Sequence, residues 1–167
     1  MSRALYLNLR ARNRVRKPKI LTSYLQKIYH LDEFSEMLEE AVEKIGRFSR
    51  KSSFEAIAFT GTSGAAIAFP LSYLLKKPLI SIRRHRDGSH YGCYGKMLEG
   101  CINAKTYLFV DDCIDSGDTA RRVFAKITKD TGAKAVGIYL YDQHAIDPKF
   151  EGVPVMKSEK PWKRKKV

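Results

Sequence analysis

Four short apolar runs recur along the chain, at Phe54–Phe59, Leu79–Ile82, Thr106–Val110 and Ala135–Tyr141. Runs this short and this continuously apolar predict strands of a parallel sheet covered on both faces. Between them, Ala65–Leu75 and Thr119–Thr131 are patterned as helices, with Pro70 predicting a kink or a late start in the first. Upstream, Phe34, Met37, Leu38, Ala41, Val42 and Ile45 fall on one face of a further helix, which Asp32 is placed to cap. The first segment, through Ile28, has no period beyond the run Leu5-Tyr6-Leu7 and wraps the core or forms part of a lid.

Alternating strands and helices predict an α/β fold, a doubly wound and mainly parallel sheet with right-handed crossovers. No internal repeat or low-complexity linker divides the chain, so one domain is expected, with a core at about 32–142 and flanking segments 1–31 and 143–167. In such sheets a ligand sits at the C-terminal strand ends, at the topological switch point. The loops after Phe59, Ile82 and Val110 are therefore expected around one crevice.

The chemistry concentrates after the third strand, in Tyr107-Leu108-Phe109-Val110-Asp111-Asp112-Cys113-Ile114-Asp115-Ser116-Gly117-Asp118-Thr119. A buried strand here delivers Asp111 and Asp112 to its C-terminal end, and a short polar loop then opens a helix. Backbone N–H groups at a helix N-terminus lack intrahelical partners, and the helix dipole favours an anion there. Ser116 and Thr119 add hydroxyl donors, while Gly117 allows close backbone approach. Two acids suited to ribose hydroxyls beside a phosphate cradle describe a ribose-5-phosphate site.

This stretch resembles the PRPP-binding motif of the type I phosphoribosyltransferases (PRPP is 5-phosphoribosyl-1-pyrophosphate), and its Asp115 is similar to the pattern of the hypoxanthine, guanine and xanthine members. The resemblance implies a Mg²⁺-dependent enzyme that joins a nucleobase, here purine-like, to C1 of PRPP and releases pyrophosphate. It assigns Asp111 and Asp112 to the ribose hydroxyls and, directly or through water, to Mg²⁺. Asp115, Ser116, Gly117, Asp118 and Thr119 form the 5-phosphate loop, with Asp115 also taking the proton of the purine ring nitrogen as a general base. The loop Thr60-Gly61-Thr62-Ser63-Gly64 becomes the pyrophosphate loop through Gly61, Thr62 and Ser63, a place where family members often hold a strained cis peptide. Arg83 and Arg84 are assigned to pyrophosphate, which guanidinium groups bind in bidentate fashion. The stretch from there through Gly95, with His85 and His90, is a mobile loop closing over PRPP in the resembling family.

The flanking segments would then supply a small hood over the base, with Gln143 and Trp162 as candidate base contacts and Phe150 as another ring able to stack. Two departures from the pattern stand out. Asp118 puts a carboxylate in the phosphate loop, and Asp142-Gln143 stands where the oxopurine enzymes carry a Lys.

The 167-residue chain carries a formal net charge of +13. Its basic residues gather at the ends: Arg3, Arg10, Arg12, Arg14, Arg16, Lys17 and Lys19 precede the first acid, and Lys160, Lys163, Arg164, Lys165 and Lys166 crowd the other terminus. A basic surface that draws in polyanionic PRPP, a nucleic-acid contact, and an Arg-rich targeting segment interrupted by Pro18 all fit this distribution. Cys93, Cys101 and Cys113 are odd in number and lack metal-ligand spacing, which points to a reducing, cytoplasmic compartment. No apolar run is long enough for a bilayer span, so no membrane partner is expected. Two functions follow: a phosphoribosyltransferase, expected to be a homodimer, or a PRPP-sensing regulator that binds nucleic acid through its basic ends.

Overall fold

The computed structural model describes residues 25–83, 97–143 and 146–159. A single turn, α1 (Gln26–Tyr29), leads into α2 (Leu31–Ser49). The chain enters α2 through extended backbone at His30 (φ −99°, ψ 107°), so His30 takes the N-cap position and no side chain caps the helix. Asp32, expected as the cap, lies in the first turn beside Glu33, where the helix dipole favours negative charge. Met37, Leu38, Ala41 and Ile45 form the buried face the periodicity anticipates.

Strand β1 (Ala56–Thr60) is followed by α3 (Gly61–Leu75), β2 (Leu79–Ile82) and β3 (Leu98–Gly100). Next come β4 (Thr106–Asp111), α4 (Asp118–Thr131), β5 (Lys134–Leu140), β6 (Lys149–Phe150) and β7 (Val153–Lys157). They form one sheet in the order β3-β2-β1-β4-β5-β7-β6. The five inner strands run parallel, and β3 and β6 are antiparallel edges. The doubly wound, mainly parallel α/β fold is thus as expected.

Side-chain alternation along the strands gives the sheet two buried faces. Ile57, Phe59, Leu108, Val110, Tyr139 and Tyr141 pack with Met37, Ile45, Ile67 and Leu71 of α2 and α3. Ala56, Ala58, Tyr107, Phe109, Ile138 and Leu140 pack with Ala120, Val123 and Ile127 of α4. Each fully buried Val, Leu, Ile, Met or Phe side chain stabilises the fold by about 1.5–3 kcal/mol.

Three features differ from the sequence expectation. Helix α3 starts at Gly61 rather than Ala65, so Thr62 and Ser63 form its first turn instead of a loop. Pro70 stays inside this helix, whose buried Ile67, Ala68 and Leu71 hold it against the core despite the missing N–H. Beyond residue 142 the sheet continues: β7 lies parallel to β5, pairing Ile138 with Val155 and Leu140 with Lys157. The expected core boundary near 142 is therefore too early, because β7 carries Pro154 and little apolar alternation to announce it. Among the described residues, no helix is long and apolar enough to cross a membrane.

Among the described residues two core hydroxyls, those of Tyr107 and Tyr139, are fully buried without a hydrogen-bond partner. A buried unpaired polar group costs about 1–3 kcal/mol. Tyr107→Phe removes that cost while keeping the ring against Phe124 (centroids 6.2 Å apart), so stability should rise by about 1 kcal/mol. A urea-unfolding midpoint above that of the parent chain is the expected result, and a lower midpoint would contradict the unpaired hydroxyl.

Candidate functional site

Strand β1 leads through α3 to β2 on one side, and β4 leads through α4 to β5 on the other, so the order of strand addition reverses between the parallel strands β1 and β4. A cavity of about 300 Å³ opens at the C-terminal ends of these two strands. It is lined by Thr62 and Ser63 from the first turn of α3, by residues 111–117, and by Thr119 and Ala120 of α4. The switch point thus brings together two segments distant in sequence, as strand alternation implies.

Asp111 is the last residue of β4 and is 7% exposed. Its Oδ1 accepts hydrogen bonds from Ser63 Oγ and from the Asp112 backbone N–H, both at 3.0 Å. Burial, with the carboxylate of Asp112 alongside, pushes the Asp111 carboxyl up to about 7. Asp112 is half-buried and extends the parallel pairing, its carbonyl accepting from Asp142 N–H at 2.8 Å. Ser63 is fixed in turn, because its carbonyl accepts the Tyr141 hydroxyl at 3.0 Å. A buried chain of contacts therefore joins the ends of β5, β1 and β4.

The loop from Asp115 to Thr119 turns at Gly117, the N-cap of α4, with φ 83°. A Cβ there would lie 2.6 Å from the Phe150 ring, so conformation and space both demand glycine. Asp115, Ser116, Gly117 and Thr119 line the cavity. Asp118 does not: its side chain is 81% exposed, and its carboxylate accepts from Ser116 Oγ at 3.0 Å and pairs with Arg121 at 3.4 Å. The acid that departs from the motif is thus held outside the cradle.

Other expected contacts fall elsewhere. Gly61 opens α3 at φ 66° and does not line the cavity, although Thr62 and Ser63 do. All peptide bonds of the described residues are trans, those of the 60–64 segment included. Arg83 pairs with Glu99 of β3 at 2.8 Å and its backbone N–H bonds the Met97 carbonyl, so it joins two strands rather than lining the cavity. Gln143 lies outside the lining too, and its Oε1 accepts the Ile114 N–H at 2.7 Å, tethering the loop between the acids and Asp115. Phe150 packs edge-on to Phe124 (6.3 Å) beneath Gly117, which makes it a support for the loop instead of a stacking platform. Arg84, His85, His90 and Trp162 lie outside the described residues.

Tyr141 and Phe150 are structural supports of the cavity that sequence reasoning did not assign to these roles. A Tyr at the end of an apolar strand looks like any core aromatic until its hydroxyl partner is located.

No protein-family model matches the chain. An orotate phosphoribosyltransferase of Pyrococcus abyssi (strain GE5 / Orsay) is 31% identical over 129 residues, which cover 72% of this chain and 69% of that protein. The transcriptional regulator GfcR of Thermoplasma acidophilum is 29% identical over 107 residues, 63% of this chain and 52% of the regulator. The chain thus spans about half the length of that relative. Among solved structures, an orotate phosphoribosyltransferase from Aeropyrum pernix superposes with a TM-score of 0.63, at 16% identity over 85% of this chain and 79% of that one. At that identity the likeness is one of fold.

The raised Asp111 carboxyl gives a pH signature. An unfolded chain ionises this group in the usual carboxylate range, whereas the folded chain keeps its proton to about pH 7. The group therefore contributes stability that is fully present below the unfolded value and is lost as pH rises through about 7. Melting temperatures measured between pH 4 and 8 should fall more for the parent chain than for Asp111→Asn. Parallel profiles for the two would contradict the burial of this carboxyl.

Proposed function

The chain belongs to the type I phosphoribosyltransferases, and on that premise we propose that it transfers 5-phosphoribosyl from PRPP to a nucleobase, with a purine as the preferred acceptor and pyrophosphate as the leaving group. The observation that carries this reading is the cavity in which Asp111 and Asp112 face the 115–119 loop at the N-terminus of α4. Such an N-terminus suits a phosphate, since its free N–H groups and the helix dipole both favour an anion. Adjacent carboxylates suit ribose hydroxyls, which they accept as hydrogen-bond donors.

In the reaction the bond from C1 to the pyrophosphate oxygen breaks and a bond from C1 to a ring nitrogen of the base forms. Alignment of the two partners lowers the barrier by several kcal/mol, provided the geometry is near attack. Asp115, exposed at the cavity wall, is assigned to the proton of the incoming base. Thr62 at the start of α3 is assigned to the pyrophosphate. The hydroxyl of Ser63 is already donated to Asp111, so its part is to hold that acid.

Asp111 and Asp112 fit a Mg²⁺ ion by donor chemistry, as adjacent hard oxygen ligands, the Asp111 carboxyl being raised by burial and by the charge of Asp112. Among the described residues no group of three or more His, Cys, Asp or Glu could hold a metal, so ligand oxygens would complete the coordination. Bound there, Mg²⁺ would supply charge to the departing pyrophosphate.

A second reading rests on the match to a regulator and on the net charge of +13: the same cavity senses PRPP while the basic ends contact nucleic acid. Two measurements separate the readings. Pyrophosphate release from PRPP and Mg²⁺ is followed with guanine, hypoxanthine, xanthine, adenine and orotate in separate reactions. Transfer predicts release with at least one base, most strongly with a purine, and a fall in kcat of about 10²–10⁴-fold for Asp115→Asn. Silence with every base, together with nucleic-acid binding that weakens steeply as salt rises, would overturn the enzyme reading and support the regulator.

A further inference from the structure

The β6–β7 hairpin turns through two residues, Glu151 and Gly152, with Phe150 paired to Val153 and Lys149 to Pro154. Both turn residues have positive φ, 50° and 77°. Turns of this kind match the twist of the flanking strands, and Asn, Asp and Gly occupy their first central position. A glutamate in left-handed backbone is strained, and such strain persists only where the surrounding structure enforces it. Among the described residues the other non-glycine at positive φ is Lys76, at a helix C-cap.

The Glu151 carboxylate accepts from Arg121 Nε at 2.7 Å. Arg121 in turn donates from Nη1 to the Ser116 carbonyl at 3.0 Å and lies 5.3 Å over the Phe150 ring. Both partners of the ion pair are half exposed, where such pairs add little to stability. Stability therefore does not account for a strained glutamate at this turn. The loop does. A trans peptide points its C=O and N–H to opposite sides, so holding the Ser116 carbonyl towards Arg121 turns the Gly117 N–H away from Arg121. Arg121 does not line the cavity, whereas Ser116 and Gly117 do. The same peptide rotated the other way would present a carbonyl oxygen to an incoming phosphate.

We propose that Glu151 is a positioning residue for the phosphate loop, orienting Arg121 so that the Ser116–Gly117 peptide offers its N–H and not its carbonyl to a phosphate monoester. This inference rests on the assignment of the 115–119 loop to the 5-phosphate of PRPP. It ties ligand affinity to a hairpin that lies outside the cavity.

The test uses the full chain with Glu151→Asn and Glu151→Gln, measuring melting temperature and, by calorimetry with Mg²⁺, the affinities for PRPP and for inorganic pyrophosphate. Asn accepts left-handed backbone, so Glu151→Asn should melt at or above the parent temperature. It should nevertheless bind PRPP about tenfold more weakly, as expected for loss of one charge-assisted hydrogen bond. Pyrophosphate, which has no 5-phosphate, should bind as before. Glu151→Gln keeps an acceptor at the same reach and should recover most of the PRPP affinity. Unchanged PRPP affinity in Glu151→Asn, or an equal loss for PRPP and pyrophosphate, would overturn the proposal. Failure of the parent chain itself to bind PRPP would overturn the 5-phosphate assignment beneath it, an outcome distinct from both.

Discussion

A carboxylate buried at the end of the central strand is the constraint on which the rest of this site depends. Asp111 sits at the last position of β4, between β1 and β5, where it is buried and the neighbouring Asp112 adds charge of the same sign. Such a group is tolerable only when hydrogen bonds hold it. One comes from Asp112 N–H, and the other from Ser63, which reaches Asp111 because α3 begins directly after β1. The Tyr141 hydroxyl fixes the Ser63 carbonyl from the third strand end. The walls of the cavity are therefore held through the acid itself, and an oppositely charged group entering there favours the ionised form that burial and the charge of Asp112 oppose.

The opposite wall is built differently. The 115–119 loop has no buried charge to anchor it; Gly117 lets it turn tightly over the Phe150 ring, and Arg121 grips it from outside. Gln143 holds the stretch just before it through Ile114. One side of the cavity is thus rigid by burial, and the other is shaped by contacts with the C-terminal hairpin. Asp118, the residue that breaks the expected phosphate-loop pattern, belongs to this outer network and does not line the cavity.

The parts of this architecture legible in the sequence were those written in short-range pattern. Four of the five inner strands, β1, β2, β4 and β5, are continuous apolar runs, and β4 ends in an acid pair with a glycine-containing loop beyond it, so strand, site and helix are read together. β3 and β6 are two or three residues long, and β7 contains Pro154, so none carries enough alternation to register. The pairing of Arg83 with Glu99 was hidden for the same reason, since it depends on β3 lying beside β2. Likewise, the roles of Gln143, Tyr141 and Phe150 are set by contacts across 29, 78 and 33 positions of chain, which no local pattern encodes.

The proposed function requires that the paired acids and the α4 N-terminus form one PRPP site. Calorimetric titration of PRPP with Mg²⁺ into the parent chain and into a chain carrying Asp111→Asn with Asp112→Asn measures this. Saturable binding to the parent chain and its loss in the doubly substituted chain, with the fold retained by circular dichroism, is expected. Equal PRPP affinity in the two chains would contradict it.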